Sequence, residues 1–184
     1  MSVLDLPKTF LIAALAACAP LALSTPALAY QGNEAEEVEP LIINWDDLLP
    51  EGELERLEEL YAASYMMGGG DHFGGQMSQI GTFNVEQELI GQTIRMPGFI
   101  LPLDAQPGGE IGEFLLVPYF GACVHTPPPP PNQIVHVVTE SPITVERVWS
   151  PVWVWGELTS ERNMNELGDA AYTLHLVGHE PYEY

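Results

Sequence analysis

Gln92-Thr93-Ile94-Arg95-Met96-Pro97-Gly98-Phe99-Ile100-Leu101-Pro102-Leu103 reads as one long strand broken in its middle. Proline cannot donate to a ladder and glycine has no side chain to pack, so Pro97-Gly98 marks a bulge or a sharp coil. Gln106-Pro107-Gly108-Gly109 then reads as a turn. Further apolar runs follow, separated by proline and glycine. The second strand is read over Glu113 to Tyr119 and the third over Gln133 to Val138. Ser141-Pro142 interrupts, with Ile143 to Val148 compatible with extended chain. The fourth strand is read over Val152 to Leu158, with Trp153 and Trp155 on one face and Val152, Val154 and Leu158 on the other. The fifth covers Ala171 to Val177, with Tyr172, Leu174 and Leu176 inward and Thr173 and His175 outward.

Five strands with a long, bent first one predict a mainly β chain built as a small five-stranded barrel of the oligonucleotide/oligosaccharide-binding (OB) type. Closure buries the edges that an open sheet would expose. A small β-sandwich is the alternative. One helix precedes the strands, over Glu51 to Met67. Pro50 and Glu51 favour its start, and Leu54, Leu57, Leu60, Tyr61 and Ser64 fall on one stripe. Gly68-Gly69-Gly70 ends it. The loop from Gly68 to Gln76 holds Asp71 and His72 but lacks the Gly-Lys-Ser/Thr of a phosphate loop, so it is not read as a nucleotide site.

The N-terminus reads as an export signal over residues 1–29, with Lys8, an apolar run from Phe10 to Leu23 and the cleavage pattern Ala27-Leu28-Ala29. Leu15-Ala16-Ala17-Cys18 offers a competing reading as a lipoprotein box that would leave Cys18 lipidated. Both readings send the chain out of the cytoplasm. Residues 30–44 form an acidic lead-in expected to be disordered, within which Leu41 to Trp45 begins a short strand or docking segment. Residues 45–90 then carry the helix and glycine-rich loop, and residues 91–184 the barrel.

The formal net charge is −21, from 26 acidic residues against 5 lysines and arginines. Such a surface repels nucleic acid and anionic lipid heads, so neither is an expected partner. Scattered carboxylates suit solubility in a saline medium and do not by themselves make a site. The one lysine lies in the export signal, and no segment reads as a membrane span.

The chemistry concentrates in Tyr119-Phe120-Gly121-Ala122-Cys123-Val124-His125-Thr126, followed by Pro127 to Pro131 and Asn132-Gln133. Five prolines form a stiff polyproline II rod. With Cys18 removed, Cys123 is the only thiol of the processed chain. An odd cysteine in an exported protein is a reactive thiol, an intermolecular bridge, a metal ligand or a small buried hydrophobe.

Arg95 to Leu103, Glu113 to Thr126, Asn132-Gln133-Ile134-Val135, Pro151 to Gly156 and the segment from Gly168 to Leu174 together resemble a bacterial family of exported proteins, domain of unknown function 3299. The resemblance runs from about Trp45 to the C-terminus. It implies a periplasmic protein, sometimes encoded beside ABC-type permeases linked to zinc supply.

Three functions follow as expectations. Zinc binding would use Cys123 and His125, with His136 as third ligand and His72, His175, His179 or a carboxylate as substitutes. Thiol chemistry would need His125 turned toward Cys123, and without a CxxC pair it would be a single-thiol redox role. A protein-interaction module, with subunits of a membrane transporter as partners, would use the proline run with Tyr119, Phe120, Trp153 and Trp155. The reading adopted is a non-enzymatic accessory of envelope transport that binds a metal or a partner; the sequence leaves the oligomeric state open.

Overall fold

The computed structural model describes residues 39–66, 78–104, 109–145, 147 and 149–183. Residues 1–29, read above as an export signal, most of the acidic lead-in and the glycine-rich loop with His72 lie outside these residues. Six strands form the sheet: β1 (Leu41–Ile42), β2 (Thr93–Pro102), β3 (Ile111–Val117), β4 (Val135–Ile143), β5 (Val152–Thr159) and β6 (Tyr172–Pro181). One helix, α1 (Glu53–Met66), precedes β2. The strand order is β1-β2-β3-β4-β6-β5, and β5 pairs back onto β2. This closes a five-stranded barrel, with β1 laid parallel to β2 as an extra strand. Only β4 and β6 are parallel within the closed ring. The barrel is the OB-like closure expected from the five runs, and not the sandwich.

The bend in β2 makes closure possible. Its first half, Thr93 to Gly98, pairs with β5, and its second half, Phe99 to Pro102, pairs with β3. The switch falls immediately after Pro97-Gly98. Gly98 is required there by space, because a Cβ would lie 2.6 Å from Leu116 Cγ. Ile94, Met96 and Ile100 point into the barrel against Phe114, Leu116, Val135, Val137, Val154 and Leu174, all buried. Alternation continues in β5, where Val152, Val154 and Leu158 are buried and the two tryptophans lie half-exposed on the outer face. There Arg95 lies over both indoles, 4.9 Å and 5.7 Å from the ring centroids, and pairs with Glu180.

The structure departs from the sequence reading at Ser141-Pro142, which does not end the third strand. β4 runs on to Ile143 through a register shift, with Glu113 opposite Val138 and Ile111 opposite Ile143. The extra residues loop out between these pairs, so Pro142 falls where no ladder donor is required. β6 likewise extends to Pro181, with a register shift opposite Trp155 and Gly156.

Residues before β2 are strapped onto the barrel by side chains. Trp45 Nε1 donates to Pro97 O at 2.9 Å, and Gln133 Nε2 donates to Trp45 O at 2.8 Å. Buried Tyr172 donates to Leu48 O and accepts from Glu86 N, both at 2.6 Å. Burial pushes its hydroxyl pKa up to about 12. A second, outer cluster of Leu115, Val117, Ala122, Ile134 and Ala170 lies apart from the barrel interior. No helix among the described residues is long and apolar enough to cross a membrane.

Candidate functional site

Past Val117 the chain turns on itself. His125 N donates to Gly121 O at 2.9 Å, and Ala122 N donates to Tyr119 O at 3.4 Å. Gly121 and Cys123 both adopt left-handed backbone, with φ of 85° and 65°. Cys123 is the one non-glycine among the described residues to do so, a conformation that costs a β-carbon-bearing residue about 1 kcal/mol. The reversal separates the two side chains. Cys123 turns inward and packs against the outer apolar cluster. Gly168 sits over it, where a Cβ would come within 3.4 Å of the sulfur. Val124 and His125 turn outward and are exposed. No hydrogen bond joins thiol and imidazole. Burial pushes the Cys123 thiol pKa up to about 11, so at neutral pH the sulfur is protonated and a poor nucleophile.

The loop's outer face is apolar. Tyr119, Phe120 and Val124 are 43%, 61% and 53% exposed, and Phe120 leans on Phe99 with ring centroids 6.2 Å apart. From Pro128 onward the proline run behind the loop is largely covered, unlike the contact face expected of it, and only Pro127 is exposed. Pro128, Pro129 and Pro131 are buried, Gln79 Nε2 donates to Pro129 O at 2.7 Å, and Ala171 N donates to Pro131 O at 2.8 Å. The rod therefore braces the loop and presents little surface of its own.

His136 lies on the outer face of β4 but is only 7% exposed. Its Nε2 is 2.7 Å from Glu113 Oε1, and its Nδ1 is 3.4 Å from Thr173 Oγ1. Both ring nitrogens are thus engaged within the fold. His175 is exposed on β6, and His179 Nε2 lies 3.4 Å from Thr144 O. Zinc needs three or four ligands converging on one point. Among the described residues no three of His, Cys, Asp or Glu gather in that way. Cys123 and His125 therefore fit zinc only with ligands from elsewhere, and His72 lies outside the described residues.

Sequence reasoning passed over a second constellation, centred on Glu53. Glu53 is 3% exposed at the start of α1. Thr82 Oγ1 donates to it, as do Asn84 Nδ2 at 2.8 Å and Asn132 Nδ2 at 3.1 Å. Asn132 Oδ1 is buried with no partner among the described residues. The inward stripe of α1 is Glu53, Leu57, Tyr61 and Ser64, and Leu54 and Leu60 face outward. Position i−4 from Leu57 is the signal that could have revealed Glu53. A cavity of about 470 Å³ opens beside it, lined among others by Glu51, Arg56, Phe83, Gln87, Ser160 and Arg162.

The family described as protein of unknown function (DUF3299) matches residues 45–181. A crystal structure of a DUF3299 family protein from Pseudomonas aeruginosa PAO1 is similar in sequence and fold. It shares 33% identity over 79% of this chain and 98% of that one, with a TM-score of 0.62. No curated protein matches the chain.

Proposed function

This chain belongs to the DUF3299 family, and on that premise we propose that it is a non-enzymatic docking module of the cell envelope, presenting the Tyr119–Thr126 loop to a protein partner. One observation carries the reading: Tyr119, Phe120 and Val124 are exposed together on a loop braced by the buried proline rod. Exposed aromatic and aliphatic side chains on a preorganised loop lose little entropy when a partner covers them. A subunit of an envelope transporter is the first partner class to test. A photo-crosslinking residue placed at Phe120 in cells producing the full chain should give one discrete protein adduct. The same residue at Met164, itself 67% exposed, should give none. Equal labelling at the two positions, or none at either, rejects this reading.

Zinc handling is the second reading, favoured by His125, whose ring is exposed with no hydrogen-bond partner among the described residues. It requires the Cys123 sulfur to turn outward and further ligands to join. Zinc stoichiometry on the purified, reduced chain tests it, with Cys123→Ser and His125→Ala alongside. One tightly held ion, lost in both variants, would favour metal over docking.

A further inference from the structure

The geometry points to a binding site for a small molecule bearing a carboxylate or phosphate group, in the cavity lined by Arg162 and by Arg56 of the first turn of α1. The cavity's volume, about 470 Å³, is within the range of small-ligand sites. The chain has four arginines, and two of them line this one cavity.

Arg162 makes no ion pair with any described residue, although the chain carries 26 acidic residues. Its guanidinium lies over Phe83 instead, 4.7 Å from the ring centroid. That contact orients the group by one face and leaves its in-plane N–H donors open. A planar fork of donors matches the oxygens of a carboxylate or phosphate in a bidentate way. Arg56 is ion-paired with Glu53, its Nε 3.6 Å from Oε2, but that distance is too long for a hydrogen bond, and its N–H groups bond no described residue.

Both walls are fixed from behind. Phe83 sits between Thr82 and Asn84, whose side chains both bond Glu53. Arg162 sits between Glu161, whose carbonyl accepts from Thr173 Oγ1 at 2.9 Å, and Asn163, which is paired with Ala170 through hydrogen bonds of 3.0 and 2.8 Å. Preorganised donors lower the ordering cost of binding. Glu53 also lines the cavity, but its oxygens already accept from Thr82, Asn84 and Asn132. Glu51 is the exposed carboxylate of the lining, and it opposes an anion.

Titration of the purified full chain with inorganic phosphate, and separately with succinate, tests the proposal by calorimetry at ionic strength held constant with chloride. At least one probe should bind saturably, and which one does identifies the anion class. Arg162→Gln should weaken that binding about tenfold, the loss of one charge-assisted contact. Glu51→Gln should tighten it, and Arg147→Gln should leave it unchanged. Absence of saturable binding by either probe overturns the proposal, as does an affinity that Arg162→Gln leaves intact.

Discussion

Asn132 Nδ2 lies 3.1 Å from Glu53 Oε1, and this contact ties the residue after the proline run to the first residue of α1. The same carboxylate accepts from Thr82 and Asn84, so one buried group joins three separate segments. A carboxylate can accept on both oxygens, whereas an amide presents one oxygen and one donor nitrogen. Glu53→Gln should therefore set donor against donor and cost about 2–3 kcal/mol. Urea unfolding of variant and wild type measures the loss. An unchanged midpoint would mean that α1 is held by something else.

Gly98 and Leu116 meet where β2 changes partners. Gly98→Ala places a methyl group 2.6 Å from Leu116 Cγ and should cost about 2 kcal/mol. The double variant Gly98→Ala with Leu116→Ala should lose less than the sum of the two single losses, because the space removed and the space required coincide. Strict additivity in a double-mutant cycle would contradict this packing.

The Cys123 thiol has its pKa pushed up to about 11 by burial. Its folded pKa exceeds the ordinary value of 9.0, so the folded state keeps the proton longer than the unfolded state. The group's contribution to stability is complete below pH 9 and is lost as pH rises through about 11. Tyr172, raised to about 12, acts in the same direction at still higher pH. Alkylation of Cys123 should accordingly be slow at pH 8 in the folded chain and fast in urea. Rapid labelling of the folded protein at pH 8 would refute the burial argument.

Backbone geometry at Cys123 permits a separate test. At φ 65° an alanine keeps the β-carbon strain, while a glycine has none. Cys123→Gly should be about 1 kcal/mol more stable than Cys123→Ala, the reverse of the order in a strand or helix. Thermal midpoints of the two variants decide the matter.

The local pattern made much of this fold legible. The Pro97-Gly98 break lies at the partner switch of β2, and the alternation of β5 assigns Val152, Val154 and Leu158 to the interior. Strand ends were less legible. β4 passes through Pro142 because a register shift opposite β3 removes the need for a donor there. Such a shift depends on the neighbouring strand, which no window of the chain contains. That a tight loop and a stiff proline run lie around Cys123 was visible in the composition, but the opposite orientations of Cys123 and His125 were not.

By itself the chain's order of residues determined that there would be a bent leading strand, four more behind it, one helix and a braced loop, since period, proline and glycine act over a few neighbours. Only the tertiary structure decided that Cys123 faces inward, that His136 is occupied by Glu113 and Thr173, and that Arg56, Phe83 and Arg162 share a cavity with Glu53. Those facts depend on which distant segments closure brings together. Barrel closure is a long-range event whose outcome is settled by packing volume and by the pairing of buried polar groups.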